Sequence, residues 1–253
     1  MQPVPLENLA VVGALCLAIA VIAFKRGLLD RSGIAAAVAV GLLIGVLGHP
    51  AWLIVLLVYL VSSFAATRYR FQKKQEMGVA EGRRGERSWK NVVANGSPPA
   101  AVAAFAGLLP ELFPGGISGL VFLSAIAVAA SDTLASEIGV LSPKAALITH
   151  PLKPVAPGTD GGVSRLGTLA ALVAALYVAG VGFIGFTLMA PATLSSNLYL
   201  LLVPVVFGFL GCQLDSLLGA TLERKGWVSK GGVNFVSITV ATLAAWLVLV
   251  ALA

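Results

Sequence analysis

Acidic and hydroxyl side chains lie near the ends of two long apolar segments of this sequence. Asp132, Ser136 and Glu137 lie in the first segment, and Asp215 and Ser216 lie in the second. An ionisable group inside a membrane is costly and usually serves a function. Mg²⁺ fits these groups, because one or two carboxylates typically hold it while substrate phosphates and water complete its shell. The alternative uses are a hydrogen bond to a neighbouring helix or a cation-transport site.

A glycine-rich loop precedes another apolar segment. Its backbone N–H groups and the positive end of the following helix would attract an anion, and its glycines let the backbone approach a ligand. The Walker pattern G-x-x-x-x-G-K-[ST] is absent, and the loop could also be a simple turn. The candidate phosphate-binding residues of this loop are Gly158, Thr159, Asp160, Gly161, Gly162, Ser164 and Arg165.

The longest basic stretch contains a third candidate group. Arg87, Asn91 and Asn95 are spaced to lie on one face of a helix, where an arginine and two amides could hold phosphate oxygens. In the alternative, Asn95 and Gly96 end this helix and the next one begins at the following prolines. We interpret the earlier part of the stretch, residues 68–74, as a solvated basic loop.

The elements that carry these residues are membrane-spanning helices. The chain has 253 residues, of which 58% are hydrophobic and 11% charged, and its mean hydropathy is +0.95. Soluble domains carry about a quarter charged residues, so a soluble fold is excluded. We predict an all-α integral membrane protein with about eight transmembrane helices, forming one polytopic domain over residues 1–253. The predicted spans are 6–24, 33–48, 51–66, 98–113, 116–140, 166–189, 197–222 and 233–252.

The cations predict how these spans are oriented. The 17 Lys and Arg residues fall in alternate loops, so the positive-inside rule places those loops in the cytoplasm and both termini outside. The cytoplasmic loops at about 67–97, 141–165 and 223–232 would carry the site, in a bacterial inner membrane or its equivalent. This topology explains the net charge of +6 without nucleic-acid binding. We expect the first span to be a membrane helix and not a cleaved signal peptide, because no basic segment precedes it.

The cysteines and histidines lack the spacing of a metal site or a catalytic triad. Cys16 and Cys212 lie inside apolar spans and are interpreted as packing residues. His49 and His150 each precede a proline at a loop edge and are interpreted as turn residues.

Several motifs together resemble one known family, the membrane proteins that include plant and cyanobacterial phytyl-phosphate kinase. The resemblance covers residues 85 to 240, with the motifs in family order. The motifs are Arg87 with Val93, Ala94, Asn95 and Gly96; Ser131, Asp132 and Thr133 with Ser136, Glu137 and Gly139; Pro157 to Gly162 with Ser164, Gly167 and Thr168; Gly208 and Gly211 with Asp215, Ser216, Gly219 and Thr221; and Val233 with Asn234.

The resemblance implies that a nucleoside triphosphate, CTP in the first place, phosphorylates a prenyl monophosphate to its diphosphate. Phytyl and geranylgeranyl monophosphate are the expected acceptors, and Mg²⁺ is the expected cofactor. The roles assigned on this basis are metal binding by Asp132 and Asp215, with Glu137 and Asp160 as further candidates; charge neutralisation by Arg87, Lys153 and Arg165; and substrate contacts by Asn91, Asn95, Ser136, Ser216 and Asn234.

Two other functions remain open from the sequence. A transporter of lipid phosphates or ions also uses acids within the membrane, although its site belongs near the midplane with access from both sides. A CTP-dependent lipid cytidylyltransferase would release pyrophosphate instead of a nucleoside diphosphate. The bilayer is a partner in every case, and the oligomeric state, a homo-oligomer included, is not fixed by the sequence.

Overall fold

The computed structural model describes residues 6–82, 85–189 and 198–252. In this part of the chain the fold is a bundle of helices with one small sheet at its end. The helices are α1 Leu6–Arg26, α2 Arg31–Leu43, α3 Pro50–Arg68, α4 Phe71–Glu76, α5 Trp89–Leu108, α6 Ser118–Gly139, α7 Arg165–Met189, α8 Leu202–Leu218 and α9 Lys230–Leu252.

Within the described residues, seven helices are long and apolar enough to cross a membrane, judged by their length and composition. They correspond to all the predicted spans except 98–113. That segment begins inside α5, whose first half carries Lys90, Asn91 and Asn95 and is too polar to qualify, and it ends in short turns at Pro110–Leu112 and Pro114–Gly116. The integral membrane class is therefore confirmed, while the count of eight stays a prediction.

Helix α5 continues through Asn95 and Gly96, where one interpretation of the sequence ended a helix. Pro98 and Pro99 lie inside it, and Asn95 and Gly96 are helical and buried. The interpretation of Asn95 and Gly96 as a cap before a new helix is therefore wrong. Helix α5 tolerates the two prolines although each removes a backbone donor.

A compact hairpin joins α2 and α3. A π-helical turn, Ile44–Gly48, extends α2, and His49 caps the N-terminus of α3 by accepting a hydrogen bond from the Ala51 N–H at 3.1 Å on its Nδ1. Burial lowers the pKa of the His49 imidazole, which favours the neutral ring that this acceptor role requires. The structure confirms His49 as a turn residue.

Helix α6 is the centre of the bundle, and α3, α5, α7, α8 and α9 all contact it. Small residues allow this close packing, because a Cβ on Gly211 of α8 would meet Val128 of α6 at 2.6 Å. On another side of α6, Phe122 stacks on Trp52 of α3 with ring centroids 4.5 Å apart. Both cysteines are buried and free, as expected for packing residues.

The loop between α6 and α7 forms a three-stranded antiparallel sheet that the sequence analysis did not predict. Its strands are β1 Ala145–Leu147, β2 His150–Val155 and β3 Gly162–Val163, in the order β2-β1-β3. The glycine-rich loop connects β2 to β3 and is therefore held at both ends by strand pairing.

Candidate active site

A polar cavity of about 260 Å³ opens between the ends of α6, α8 and α9 and the loop from β2 to α7. It collects residues from the acidic motifs of α6 and α8, from the glycine-rich loop and from the start of α9. The predicted site residues that line it are Asp132, Ser136, Glu137, Gly158, Thr159, Asp160, Gly161, Gly162, Ser164, Asp215, Ser216 and Asn234. Arg87, Asn91, Asn95, Lys153 and Arg165 are not among its lining residues.

Two aspartates from different helices interact directly in this cavity. The side chains of Asp132 on α6 and Asp215 on α8 are close enough to share a hydrogen bond. Asn234 Nδ2 donates to Asp132 Oδ2 at 3.4 Å, and Ser237 Oγ donates to Asp215 Oδ2 at 2.9 Å. These neutral donors do not cancel two adjacent negative charges, so the pair requires a proton or a cation.

A chain of amides leads from this pair to the surface of the bundle. Asn234 Nδ2 also donates to Asn95 Oδ1 at 3.3 Å, and Asn95 Nδ2 donates to the Asn91 carbonyl oxygen at 2.9 Å. Asn91 Nδ2 in turn donates to Glu81 Oε1 at 2.9 Å. Asn91 and Asn95 thus share one helix face as predicted, while Arg87 lies just before the first residue of α5.

The glycine-rich loop packs tightly against the end of α8. Gly158 and Gly161 have φ angles of +83° and +72°, which residues with a Cβ rarely adopt. The Gly162 N–H donates to the Thr159 carbonyl at 2.8 Å and closes the turn. A Cβ on Gly219, the first residue of a π-helical turn that extends α8, would lie 3.0 Å from the Gly161 nitrogen. This contact fixes the loop beside Asp215.

Ser164 joins the loop to two helices. Its hydroxyl accepts a hydrogen bond from the Gly167 N–H at 3.1 Å, which caps the N-terminus of α7. The same hydroxyl donates to the Gly139 carbonyl at the end of α6, also at 3.1 Å. A Cβ on Gly139 would meet the Gly167 Cα at 3.1 Å, so the two helices cross closely here. Ser164 therefore positions the cavity wall through its own hydrogen bonds.

A buried ion pair lies beside the cavity and was missed by the sequence analysis. Lys74 on α4 is completely buried and donates to Glu137 Oε2 at 2.6 Å and to the Ala66 carbonyl at 2.7 Å. The other carboxylate oxygen of Glu137 accepts from Thr67 Oγ1 at 2.9 Å. Residues 68–74 are thus not simply a solvated loop, and Glu137 has a protein partner on each of its two carboxylate oxygens.

The charges around the cavity are predominantly acidic. Among the described residues that line the cavity, Lys230 is the one with a positive charge. Its side chain is 63% exposed, and its Nζ lies 3.5 Å from Glu81 Oε2. Lys153 and Arg165 are exposed and lie outside the lining. The acids that line the cavity are Glu81, Asp132, Glu137, Asp160, Asp215 and Glu223. A phosphate ligand would be repelled by this wall unless a cation accompanied it.

The donor set of the cavity fits Mg²⁺. In residues 6–82, 85–189 and 198–252 no three His, Cys, Asp or Glu side chains are grouped to hold a metal by themselves. A pair such as Asp132 and Asp215 is nonetheless what Mg²⁺ typically uses, because substrate phosphates and water supply its other ligands. Hard oxygen donors in an acidic cavity agree with this choice of ion.

Comparison with known proteins gives the family. The model of the family described as "Integral membrane protein DUF92" matches residues 14–242. The chain belongs to this family. It is 33% identical over 236 residues to an uncharacterised membrane protein of Synechocystis, covering 91% of this chain and 86% of that protein. An uncharacterised membrane protein of Methanocaldococcus jannaschii is 30% identical, with 85% of this chain and 84% of the relative covered.

A plant relative also matches most of the chain. Protein VTE6, chloroplastic, of Arabidopsis thaliana is 31% identical over 228 residues, which cover 86% of this chain and 64% of the plant protein. No solved structure matches the chain. The family on which the sequence resemblance rests is therefore confirmed.

Proposed function

We propose that this membrane protein is a prenyl-phosphate kinase. A phosphate oxygen of phytyl or geranylgeranyl monophosphate attacks the terminal phosphorus of a nucleoside triphosphate, CTP in the first place. The new bond joins that oxygen to phosphorus, and the bond from phosphorus to the bridging oxygen breaks. The products are a prenyl diphosphate and a nucleoside diphosphate.

The observation that carries this proposal is the meeting of Asp132, Asp215 and the glycine-rich loop around one cavity. The acceptor is already an anion, so the reaction needs no strong general base. Catalysis then depends on positioning and on neutralising charge, as in phosphoryl transfer generally. Carboxylates that attract a cation and a loop that offers backbone N–H groups are the parts required.

Each part of the cavity takes a role in this proposal. Asp132 and Asp215 would hold Mg²⁺, which when bound screens the negative charge of the phosphates. The N–H groups of the glycine-rich loop would contact phosphate oxygens. Asn234 would keep the Asp132 carboxylate oriented through its hydrogen bond. Lys230, at the mouth of the cavity, would neutralise further phosphate charge.

The position of the cavity supports an enzyme over a transporter. Its two paired aspartates, Asp132 and Asp215, lie in the last third of α6 and of α8, at the end of the bundle that carries the basic loops. A transport site would belong nearer the midplane. On the positive-inside rule this end faces the cytoplasm, where nucleoside triphosphates are available.

The test is a direct assay of detergent-purified protein with Mg²⁺ and geranylgeranyl or phytyl monophosphate. CTP, ATP, GTP and UTP are supplied separately, and the products are identified by mass spectrometry. We expect prenyl diphosphate together with the matching nucleoside diphosphate, and no product after chelation with EDTA.

Other results would point to the alternative functions. Release of pyrophosphate with a nucleotide-linked lipid would show a cytidylyltransferase. If folded protein gave no product with any nucleotide, the kinase proposal would be wrong, and uptake of prenyl phosphate by liposomes would test the transporter.

A further inference from the structure

A second, apolar cleft lies on the other side of the amide chain. It is open, measures about 40 Å³, and is formed by α2, α3 and α5. Its lining is apolar except along one side, where Arg87, Asn91 and Asn95 lie. The apolar lining residues are Leu29, Ala37, Val40, Leu56, Tyr59, Leu60, Phe64, Val92 and Gly96.

Arg87 is a buried cation without an acidic partner in the described part of the chain. Only 8% of the residue is exposed, and neither of the two ion pairs found there includes it. Its Nη2 donates to Thr67 Oγ1 at 3.3 Å, and its guanidinium carbon lies 5.9 Å from the centroid of the Phe64 ring. Its Nε has no hydrogen-bond partner among the residues that the structure describes. A buried guanidinium with a free donor is costly, and an anion would compensate it.

The backbone at Arg87 is fixed, so this placement is built into the fold. The Arg87 N–H donates to the Leu28 carbonyl at 3.1 Å, and the Arg87 carbonyl accepts from the Asp30 N–H at 3.2 Å. These two bonds join the loop after α1 to the segment before α5. The side chain is therefore directed to the polar side of the cleft by ordered backbone on both sides.

The cleft and the acidic cavity share a wall. Asn95 lines the cleft, Asn234 lines the cavity, and the hydrogen bond between their amides joins them at 3.3 Å. Arg87 is also close enough to Asp132 to contribute to its electrostatic environment. An anion held at Arg87 would thus lie near the cavity that contains the proposed Mg²⁺ site.

We infer that this cleft is the binding site for the acceptor, a prenyl monophosphate, an assignment that rests on the proposed kinase function. Arg87 binds the phosphate, with Asn91 and Asn95 beside it, and the apolar walls take the part of the chain next to the phosphate. The small volume holds only that first part, and the remaining isoprene units lie along the lipid-facing helices. On this assignment the amides of Asn95 and Asn234 stand between the two substrates and must move aside for the phosphate oxygen to reach the terminal phosphorus.

Equilibrium binding tests this site without relying on catalysis. The full chain in nanodiscs is titrated with tritiated geranylgeranyl monophosphate in the absence of nucleotide, with geranylgeraniol and inorganic phosphate as competitors. We expect saturable binding of the monophosphate and at least about tenfold weaker competition by either competitor, since a charged hydrogen bond and the apolar contacts both contribute.

Matched substitutions locate the site. Ala37→Phe fills the cleft from α2, and we expect about tenfold weaker binding of the monophosphate, since the apolar contacts next to the phosphate are lost. Ala35→Phe places the same ring on an exposed position of the same helix and should leave binding unchanged. Leu60→Trp, with Val61→Trp as its exposed control, repeats the test from α3 in case Ala37→Phe does not fold. Arg87→Gln should reduce binding of the monophosphate to the level of geranylgeraniol.

The outcomes separate this inference from the kinase proposal. If binding behaves as expected but no phosphoryl transfer is found, the site stands and the kinase function fails. If the protein is an active kinase but the cleft variants change neither the affinity nor the KM for the prenyl monophosphate, the site is wrong. Equal binding of geranylgeraniol and the monophosphate would also overturn it, because Arg87 would then bind no phosphate.

Discussion

Two acids of α6, Glu137 and Asp132, differ in how their negative charge is compensated. Glu137 pairs with the buried Lys74 and accepts a second hydrogen bond from Thr67, so its charge is compensated inside the protein. Asp132 instead lies against another acid, Asp215, and the hydrogen bonds to the two carboxylates come from the neutral Asn234 amide and Ser237 hydroxyl. In the first arrangement the counter-charge belongs to the protein, whereas the second requires a proton or a bound cation.

This difference separates structural from functional acids better than burial does. The residue Glu137 is only 8% exposed, and it lines the same cavity as Asp132. What distinguishes the two acids is the partner of each carboxylate. A buried charge that lacks a close counter-charge lowers the stability of the fold, and a protein that keeps it usually uses it for function. We therefore expect changes at the two pairs to affect different measured quantities.

The largest expected effect is on catalysis at the aspartate pair. Asp132→Asn and Asp215→Asn should each lower kcat by about 1,000-fold, the loss that follows removal of a preorganised electrostatic contact. The midpoint of thermal unfolding should stay the same or rise, because repulsion between the two carboxylates is relieved. Both quantities are measured on one purified preparation. If kcat were unchanged in both folded variants, the assignment of the two aspartates to the active site would be wrong.

The second expected effect is on stability at the ion pair. Lys74→Met should lower the free energy of unfolding by about 3–5 kcal/mol, because it leaves the Glu137 carboxylate buried without its cation. Lys73→Met is the control, since Lys73 is exposed and the neighbouring residue in sequence. Equal effects of the two substitutions on the unfolding midpoint would show that the buried pair carries no stability.

A smaller effect should distinguish the cavity cation from the exposed loop cations. Lys230→Gln should raise the KM for the nucleoside triphosphate by about tenfold, the low end of the range for a hydrogen bond to a charged group. Lys153→Gln should change this KM by less than about twofold, because an exposed charge contributes little and Lys153 lies outside the cavity. A larger increase in KM for Lys153→Gln than for Lys230→Gln would show that Lys153, and not Lys230, neutralises the phosphate charge.

The smallest effect concerns an acid that is fully exposed. Hydrogen bonds from the Ser32 hydroxyl and then the Gly33 N–H lower the pKa of the Asp30 carboxyl below its usual range and cap α2. The carboxylate therefore stabilises the fold at neutral pH, and this contribution is lost as the pH falls through the lowered pKa. Asp30→Ala should lower the unfolding midpoint slightly at pH 7 and have no effect at strongly acidic pH. An effect that grows on acidification would contradict this role.

The sequence predicted the features that depend on local pattern. Hydropathy predicted eight spans, seven of which are long apolar helices in the described part of the chain. Acids within apolar segments singled out Asp132 and Asp215, which the structure brings together in one cavity. The glycine-rich loop was recognised because its composition suits a tight turn beside a ligand.

The features missed from the sequence depend on contacts between distant segments. Lys74 carries no signal, since a lysine in a basic loop is normally solvated, and only the reversal of the chain at Arg70, with φ of 51°, turns α4 back onto α3 and α6. The small sheet was missed because two of its three strands have only three and two residues, too few for a recognisable strand pattern. Arg87 does line one cleft with Asn91 and Asn95, but it lies before α5, which begins at Trp89, so the helical spacing behind that prediction did not apply.

The most direct test of the central claim is metal binding at the aspartate pair, measured apart from turnover. Mn²⁺, as a paramagnetic substitute for Mg²⁺, is titrated into detergent-purified protein and the free ion is counted by electron paramagnetic resonance. Wild-type protein and Glu137→Gln should bind Mn²⁺ saturably, while Asp132→Asn and Asp215→Asn should lose that binding. Equal binding by wild type and both aspartate variants would contradict the account.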